Sequence, residues 1–269
     1  MISFFQFILW NVNPDIFVIP GLDHPVRWYG VSWALAFFFS QQVMYHIYQK
    51  ENRSRQEVDT LTIYMVVASL VGARLGHVLF YDPLDYLAEP WRIFAIWEGG
   101  LASHGGAVGI LFALYLFARK TNVPYLWIVD RMVIVSALSG IFIRLGNLMN
   151  SEVVGIPSSV PWAFIFTRID NTPRHPAQLY EALYCLVIFA GLFYLWARYR
   201  QKIPMGAMTG FFLITLFTLR FVDEFFKINQ VSFEENMPLN MGQLLSIPFV
   251  VVGALLLIHA YSRKPGPAT

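Results

Sequence analysis

The residues with the most chemistry to offer lie in the stretch SGIFIRLGNLMNSE at 139–152, where a long apolar run ends on Arg144 and a polar row. An arginine near the hydrocarbon core costs roughly 2.5–3.5 kcal/mol on insertion scales, so such a charge demands a partner. Helical spacing puts Asn147 (i+3) and Ser151 (i+7) on the face of Arg144, with Asn150 and Glu152 flanking it. A guanidinium presents a planar fork of donors suited to bidentate phosphate recognition. The competing reading is a structural salt bridge, to Glu152 or to a carboxylate on another helix, and both readings stand.

Four further segments carry reactive groups. In GGLASHGGAVG, 99–109, glycines surround His104, and Gly105 with Gly109 has helix-packing spacing. His104 is either incidental to a packing seam or a proton acceptor working near neutral pH. Arg220 has Asp223 and Glu224 at i+3 and i+4, which neutralise part of its charge locally and allow a self-contained ion pair. Arg74 sits between Gly72 and Gly76 in GARLGH, followed by His77, and a structural role for it is as well supported as a binding one. Finally, PRHPAQLYE at 173–181 opens a helix at Pro176 and repeats His175, Gln178 and Glu181 every three residues. That row suits a hydrogen-bonding clamp orienting Arg144 or His104. A metal site would need a ligand geometry that spacing does not supply, which disfavours a metal reading of these residues.

The elements that must position these groups are membrane helices. Of the 269 residues 57% are hydrophobic and 13% charged, 17% are aromatic, and mean hydropathy is +0.52. This composition predicts an all-α polytopic membrane protein, read as a single domain over 1–269. A net charge of +2, with its cations scattered over many loops, is too small to argue for a nucleic-acid surface. Seven apolar stretches are long enough to span, at about 28–48, 61–81, 100–118, 126–146, 177–197, 205–226 and 241–261. Cys185, inside the fifth, reads as a small buried hydrophobe.

Loop charges set the expected orientation. Lys50, Arg53, Arg55, Arg119, Lys120, Arg198, Arg200, Lys202, Arg263 and Lys264 follow the odd-numbered spans, whereas the even-numbered connections carry Asp82, Asp85, Glu89, Glu98, Glu234 and Glu235. Fewer cations, Arg27, Arg92, Arg168, Arg174 and Lys227, fall on that acidic side, so the N-terminus is expected outside and the C-terminus in the cytoplasm. Arg131 lies near the cytoplasmic start of the fourth span, within snorkelling reach of water. Arg74, Arg144 and Arg220 lie late in spans two, four and six, all of which run outward. His104 and Tyr29 open the third and first spans at the same level. The connection 151–176, with Gly155, Pro157, Pro161 and Pro173, is expected to form an extracytoplasmic arm or head. Phe4, Phe5, Phe7, Ile8 and Trp10 suggest an interfacial segment, and the tail after Arg263 a disordered one.

A polar cavity open to the outer leaflet, holding several cations and one histidine, is complementary to an anionic phospholipid headgroup. Transport or flipping of such a lipid is the alternative to chemistry upon it, although no internal repeat is visible. A serine hydrolase built on Ser139 or Ser103 is disfavoured, since Ser103 and His104, as helix neighbours, do not face each other.

At these residues the chain resembles the prolipoprotein diacylglyceryl transferases of the bacterial inner membrane. The resemblance rests on RWYG at 27–30, GARLGHVLFYDP at 72–83, GGLASHGGAVG at 99–109, RLGNLMNSEVVG at 144–155, PRHPAQLYEAL at 173–183, RFVDEFFK at 220–227 and MGQLLSIPF at 241–249. It implies transfer of the diacylglyceryl group of phosphatidylglycerol to the lipobox cysteine of a prolipoprotein signal peptide, with release of glycerol 1-phosphate and no cofactor. Family roles fall on Tyr29, His104, Arg144, Asn147 and Arg220, with Glu152 and Glu224 as supporting acids. Arg74, Asn150, His175, Gln178 and Glu181 are the further residues expected to contact substrate. The chain departs from the family where Leu216 stands in place of a tyrosine, Ile143 in place of a glycine and Lys227 where arginine is common.

Overall fold

Backbone amides have no water to bond within a bilayer, so long apolar runs fold as helices. The computed structural model describes residues 7–21, 24–81, 83–228, 234 and 237–262. Its helices are α1 (Trp28–Lys50), α2 (Arg55–Phe80), the short α3 (Pro83–Ala88), α4 (Ser103–Thr121), α5 (Tyr125–Asn150), α6 (Ala177–Tyr199), α7 (Ala207–Asp223) and α8 (Met241–Ser262). Apart from α3, each falls on one of the seven apolar stretches. Four of them, α2, α5, α6 and α8, are long and apolar enough to cross a membrane. The others fall short for visible reasons: α7 has 17 residues, α1 carries Ser40, Gln41 and Gln42, and α4 begins Ser-His-Gly-Gly and ends in Arg119 and Lys120.

Local chemistry fixes several ends. Ser54 Oγ accepts from the Gln56 amide at the start of α2. Asn122, in the left-handed region at φ 53°, stops α4. Asn240 and Gln243 cap α8 reciprocally, each side chain accepting from the other's backbone amide at 2.9 and 3.1 Å. Whereas the third apolar stretch begins at residue 100, α4 begins at Ser103, because Gly99 and Gly100 adopt positive φ.

The chain divides by internal contacts into two units, Met1–Ser40 with Asp130–Thr269, and Gln41–Val129. In the second unit α2 packs on α4 along a glycine seam, where a Cβ on Gly105 would lie 2.3 Å from the carbonyl oxygen of Gly72. Gly72, Gly76, Gly105 and Gly109 thus allow backbone-to-backbone contact.

In the first unit α7 packs on both α8 and α6. The carboxylate of Asp130, on α5, caps α7 by accepting from the amides of Gly206 and Thr209 and from the Thr209 hydroxyl. Arg131 beside it is buried rather than reaching to water. Two small sheets add to the helices. Strand β1 (Ile8–Trp10) pairs in parallel with β4 (Phe164–Phe166), which pairs antiparallel with β5 (Pro173–Arg174), while β2 (Asp15–Ile19) and β3 (His24–Arg27) form a hairpin. So Ile8 and Trp10 belong to a sheet edge: the Trp10 indole donates to the Leu148 carbonyl and its ring packs on Phe164. Phe4, Phe5, Asp82, Glu235 and the tail after Ser262, which includes Arg263 and Lys264, lie outside the described residues.

Candidate active site

In the first unit the later part of α5, the start of α6, the end of α7 and the turn that follows it bring six ionisable side chains together. Arg144 Nε is ion-paired with Glu181 Oε2, and its Nη1 donates to Asn147 Oδ1 at 3.4 Å. Of the alternatives open in the sequence, the partner of Arg144 is therefore the carboxylate on another helix. Glu181 Oε1 lies 2.5 Å from Lys227 Nζ. That ammonium also meets Asp223 Oδ2 at 3.1 Å and Glu224 Oε1 at 3.0 Å. Glu224 in turn meets Arg220 Nη2 at 3.5 Å and accepts from Asn240 Nδ2 at 3.2 Å.

Three cations thus face three carboxylates, and their burial is graded. Lys227 and Glu181 are 2% and 1% exposed, while Arg144 and Arg220 keep 22% and 34%. Among the described residues Arg144 Nη2 and both Nε and Nη1 of Arg220 have no partner. The buried middle holds the arginines from behind and leaves guanidinium edges available to an anion.

Beside Arg144 the end of α5 builds a polar shelf. Glu152 accepts from Asn147 Nδ2 at 3.2 Å and from Asn150 Nδ2 at 3.1 Å. Gln178, fully buried, donates to the Glu152 backbone carbonyl at 2.5 Å, and the chain turns there with Ser151 and Val153 at φ 55° and 56°. The Gln178 and Asn150 side-chain carbonyls and the Ser151 hydroxyl have no protein partner among the described residues. Tyr29 packs against α5 at Gly146.

His175 stands apart from the ion pairs. Its Nδ1 lies 2.9 Å from the Tyr180 hydroxyl, and its ring meets Phe226 edge-on. The Tyr180 oxygen also accepts from the Trp162 indole N–H at 2.8 Å. Burial pushes the imidazole pKa below its ordinary value. Outside the spans, Arg174 beside Asp170 holds that carboxyl below the usual range.

In the second unit His104 is the exposed second residue of α4. Arg74 is 3% exposed, and its five N–H donors are directed at five backbone carbonyls, those of Arg92, Ile93, Ala95, Gly99 and Gly100. As it stands, no donor of Arg74 is left for a substrate phosphate. Among the described residues no three side chains of His, Cys, Asp or Glu stand together as metal ligands.

A sequence profile of the family described as prolipoprotein diacylglyceryl transferase matches residues 14–259. Phosphatidylglycerol–prolipoprotein diacylglyceryl transferases from Chloroherpeton thalassium, Bacteroides fragilis and Tolumonas auensis are each 42% identical to the chain and match 96% of it, covering 96%, 96% and 99% of their own lengths. The chain belongs to the prolipoprotein diacylglyceryl transferase family.

Membership in the prolipoprotein diacylglyceryl transferase family makes the chain a membrane-bound transferase of lipoprotein biosynthesis. Within this transferase, sequence reasoning passed over Lys227, which it counted as a loop cation although the residue is the buried hub of the cluster. The signal was available: Arg220, Asp223, Glu224 and Lys227 recur at i, i+3, i+4 and i+7, one helix face. The turn of 3-10 helix at Glu224–Phe226 carries that face beyond α7. Asn240, which holds Glu224 from the start of α8, had no comparable periodic signal.

Proposed function

We propose that this chain transfers the diacylglyceryl group of phosphatidylglycerol to the lipobox cysteine thiol of prolipoproteins, the first step of lipoprotein maturation, in the bacterial inner membrane. The observation that carries the reading is the pair of half-neutralised arginines, Arg144 and Arg220, held by the Glu181–Lys227–Glu224 set with donors unfilled. In the reaction the thiolate attacks the glyceryl carbon bearing the phosphate. A C–S bond forms, the C–O bond to phosphate breaks, and glycerol 1-phosphate leaves with the bonding pair. A thiol is a weak nucleophile until ionised, and His104 is the group assigned to take its proton. Charge developing on the departing phosphate needs donors already in place, and the edges of Arg144 and Arg220 supply them. Tyr29, Asn147, Asn150, Glu152, Gln178 and Glu224 position the headgroup and the arginines. Arg74 holds neighbouring backbone carbonyls, and His175 packs with Tyr180 and Phe226 beside the start of α6.

The chain crosses the membrane seven times in this reading, as one domain, with the N-terminus outside, the C-terminus in the cytoplasm and the 151–176 arm on the outer face. Alternation of basic and acidic connections supports it.

The test is reconstitution in phosphatidylglycerol vesicles with a lipobox peptide. Peptide gaining the mass of diacylglycerol less one water, with one glycerol phosphate released per peptide modified, is expected. No product with the cysteine peptide, or equal release with its cysteine-to-serine counterpart, overturns the reading.

A further inference from the structure

Between α2 and α4 the chain makes an unusual segment at 83–101, consisting of α3 followed by two 3-10 turns at Pro90–Phe94 and Ile96–Glu98. Its side chains point the wrong way for a water-facing loop. Leu84, Leu87, Trp91, Phe94, Trp97 and Leu101 are each 51–78% exposed. On the inner side the backbone is gathered around one cation. Arg74 Nε reaches the Ile93 carbonyl at 3.0 Å, Nη1 bonds those of Gly99 and Gly100, and Nη2 those of Arg92 and Ala95. The Tyr86 ring lies 5.1 Å from the guanidinium carbon, and the Ala102 amide donates to the Ala73 carbonyl. Positive φ at Gly99 and Gly100 turns successive carbonyls toward Nη1, and a Cβ on Gly100 would sit 2.7 Å from that nitrogen.

Non-helical backbone cannot lie among lipids with its carbonyls unsatisfied, and it is found at membrane depth only where protein supplies the missing partners. A fully engaged guanidinium supplies five at once, far more than a water-exposed loop requires. The outward face is rich in tryptophan and phenylalanine, the residues that favour the headgroup level. It is also continuous with the exposed apolar face of α2, one of the spanning helices, through Leu75 and Leu79. We infer that residues 83–101 are a membrane-interface segment whose aromatic face docks onto the lipid headgroups and upper acyl chains, with Arg74 as the internal clasp that lets irregular backbone lie at that depth. Arg74 is thereby a positioning residue for this segment.

The test uses the full chain in phosphatidylglycerol-containing vesicles, with Cys185→Ala removing the native thiol. Nitroxides are placed singly at Phe94→Cys and Trp97→Cys, and at two references, Val67→Cys in the middle of α2 and the exposed Thr167→Cys just after β4. Relative collision rates with oxygen and with a water-soluble nickel complex report depth. The expected result is oxygen-favouring collision at residues 94 and 97, on the side of Val67 and opposite to Thr167. Nickel-favouring collision at both positions overturns the inference. If shielding from nickel develops only after a lipobox peptide is added, the face docks peptide and the lipid assignment falls. In an Arg74→Gln background the residue-97 label is expected to gain mobility, and an unchanged spectrum removes the clasp. Should that variant fail to fold, the depth measurement with Arg74 intact still decides the lipid assignment.

Discussion

Lys227 Nζ stands 2.5 Å from one oxygen of Glu181, and the other oxygen of that carboxylate holds Nε of Arg144. The position of a partly exposed arginine on α5 is thus set by an ammonium two elements away, through one shared carboxylate. Removing one partner of a buried ionic set leaves the rest uncompensated, at a cost of about 3–5 kcal/mol. Lys227→Met is therefore expected to lower stability by that order and to reduce activity. Lys227→Arg, which keeps the charge, is expected to retain most of both. Thermal unfolding in detergent alongside the transferase assay checks this, and equal loss in the two variants would show that charge is not what Lys227 contributes.

The two arginines are held differently, and their conservative replacements are expected to fail differently. Arg144 uses Nε on Glu181 and keeps Nη2 open, so one planar group holds the carboxylate and an anion together. Lysine is a point charge that cannot do both. Arg144→Lys is expected to lose activity on the order of 10²–10³-fold, the scale of removing one preorganised donor to developing charge. Arg220 meets Glu224 at 3.5 Å through a single nitrogen, and Arg220→Lys is expected to lose less. Steady-state kinetics over a range of phosphatidylglycerol concentrations measures both, and an equal loss would refute the assigned division.

Much of this was legible in the sequence because charges inside apolar runs are rare and helical periodicity is strong. The seven long helices fall on the seven apolar stretches, and the polar row after Arg144 forms the shelf around Glu152. The ion partner of Arg144 was not legible, because Glu181 is 37 positions away and nothing local distinguishes it from Glu152. Lys227 was masked by its place just past a span, where loop cations are expected. Short strands such as Ile8–Trp10 and Phe164–Phe166 escaped notice because their partners are distant and three residues carry too little alternation. The five carbonyl bonds of Arg74 come from backbone geometry, to which side-chain patterns are blind.

Close packing gives a further expectation at Gly242. A Cβ there would lie 2.4 Å from the carboxyl carbon of Glu224, the acid that joins Arg220 to Lys227. Gly242→Ala is expected to displace that carboxylate and cost about 1–3 kcal/mol, the usual scale of overpacking. Activity should fall with it, as Arg220 loses its anchor. Wild-type activity with an unshifted unfolding midpoint would show that the site accommodates the methyl group.

The connection between α5 and α6 carries a pH dependence whose sign follows from His175. Burial lowers the folded-state pKa of this imidazole below its ordinary 6.5. The unfolded chain therefore binds the proton first as pH falls, and stability rises with pH wherever the unfolded state holds more protons. The contribution of His175 is complete above about pH 6.5 and is lost as pH falls through its lower folded value. His175→Gln keeps a hydrogen-bond acceptor but does not titrate. Between pH 7.5 and 5 its unfolding midpoint is expected to fall less steeply than that of the unaltered chain, and Trp162, which donates to Tyr180, offers a fluorescence probe of the same network. Parallel slopes for the two proteins would mean that another group governs the acid response.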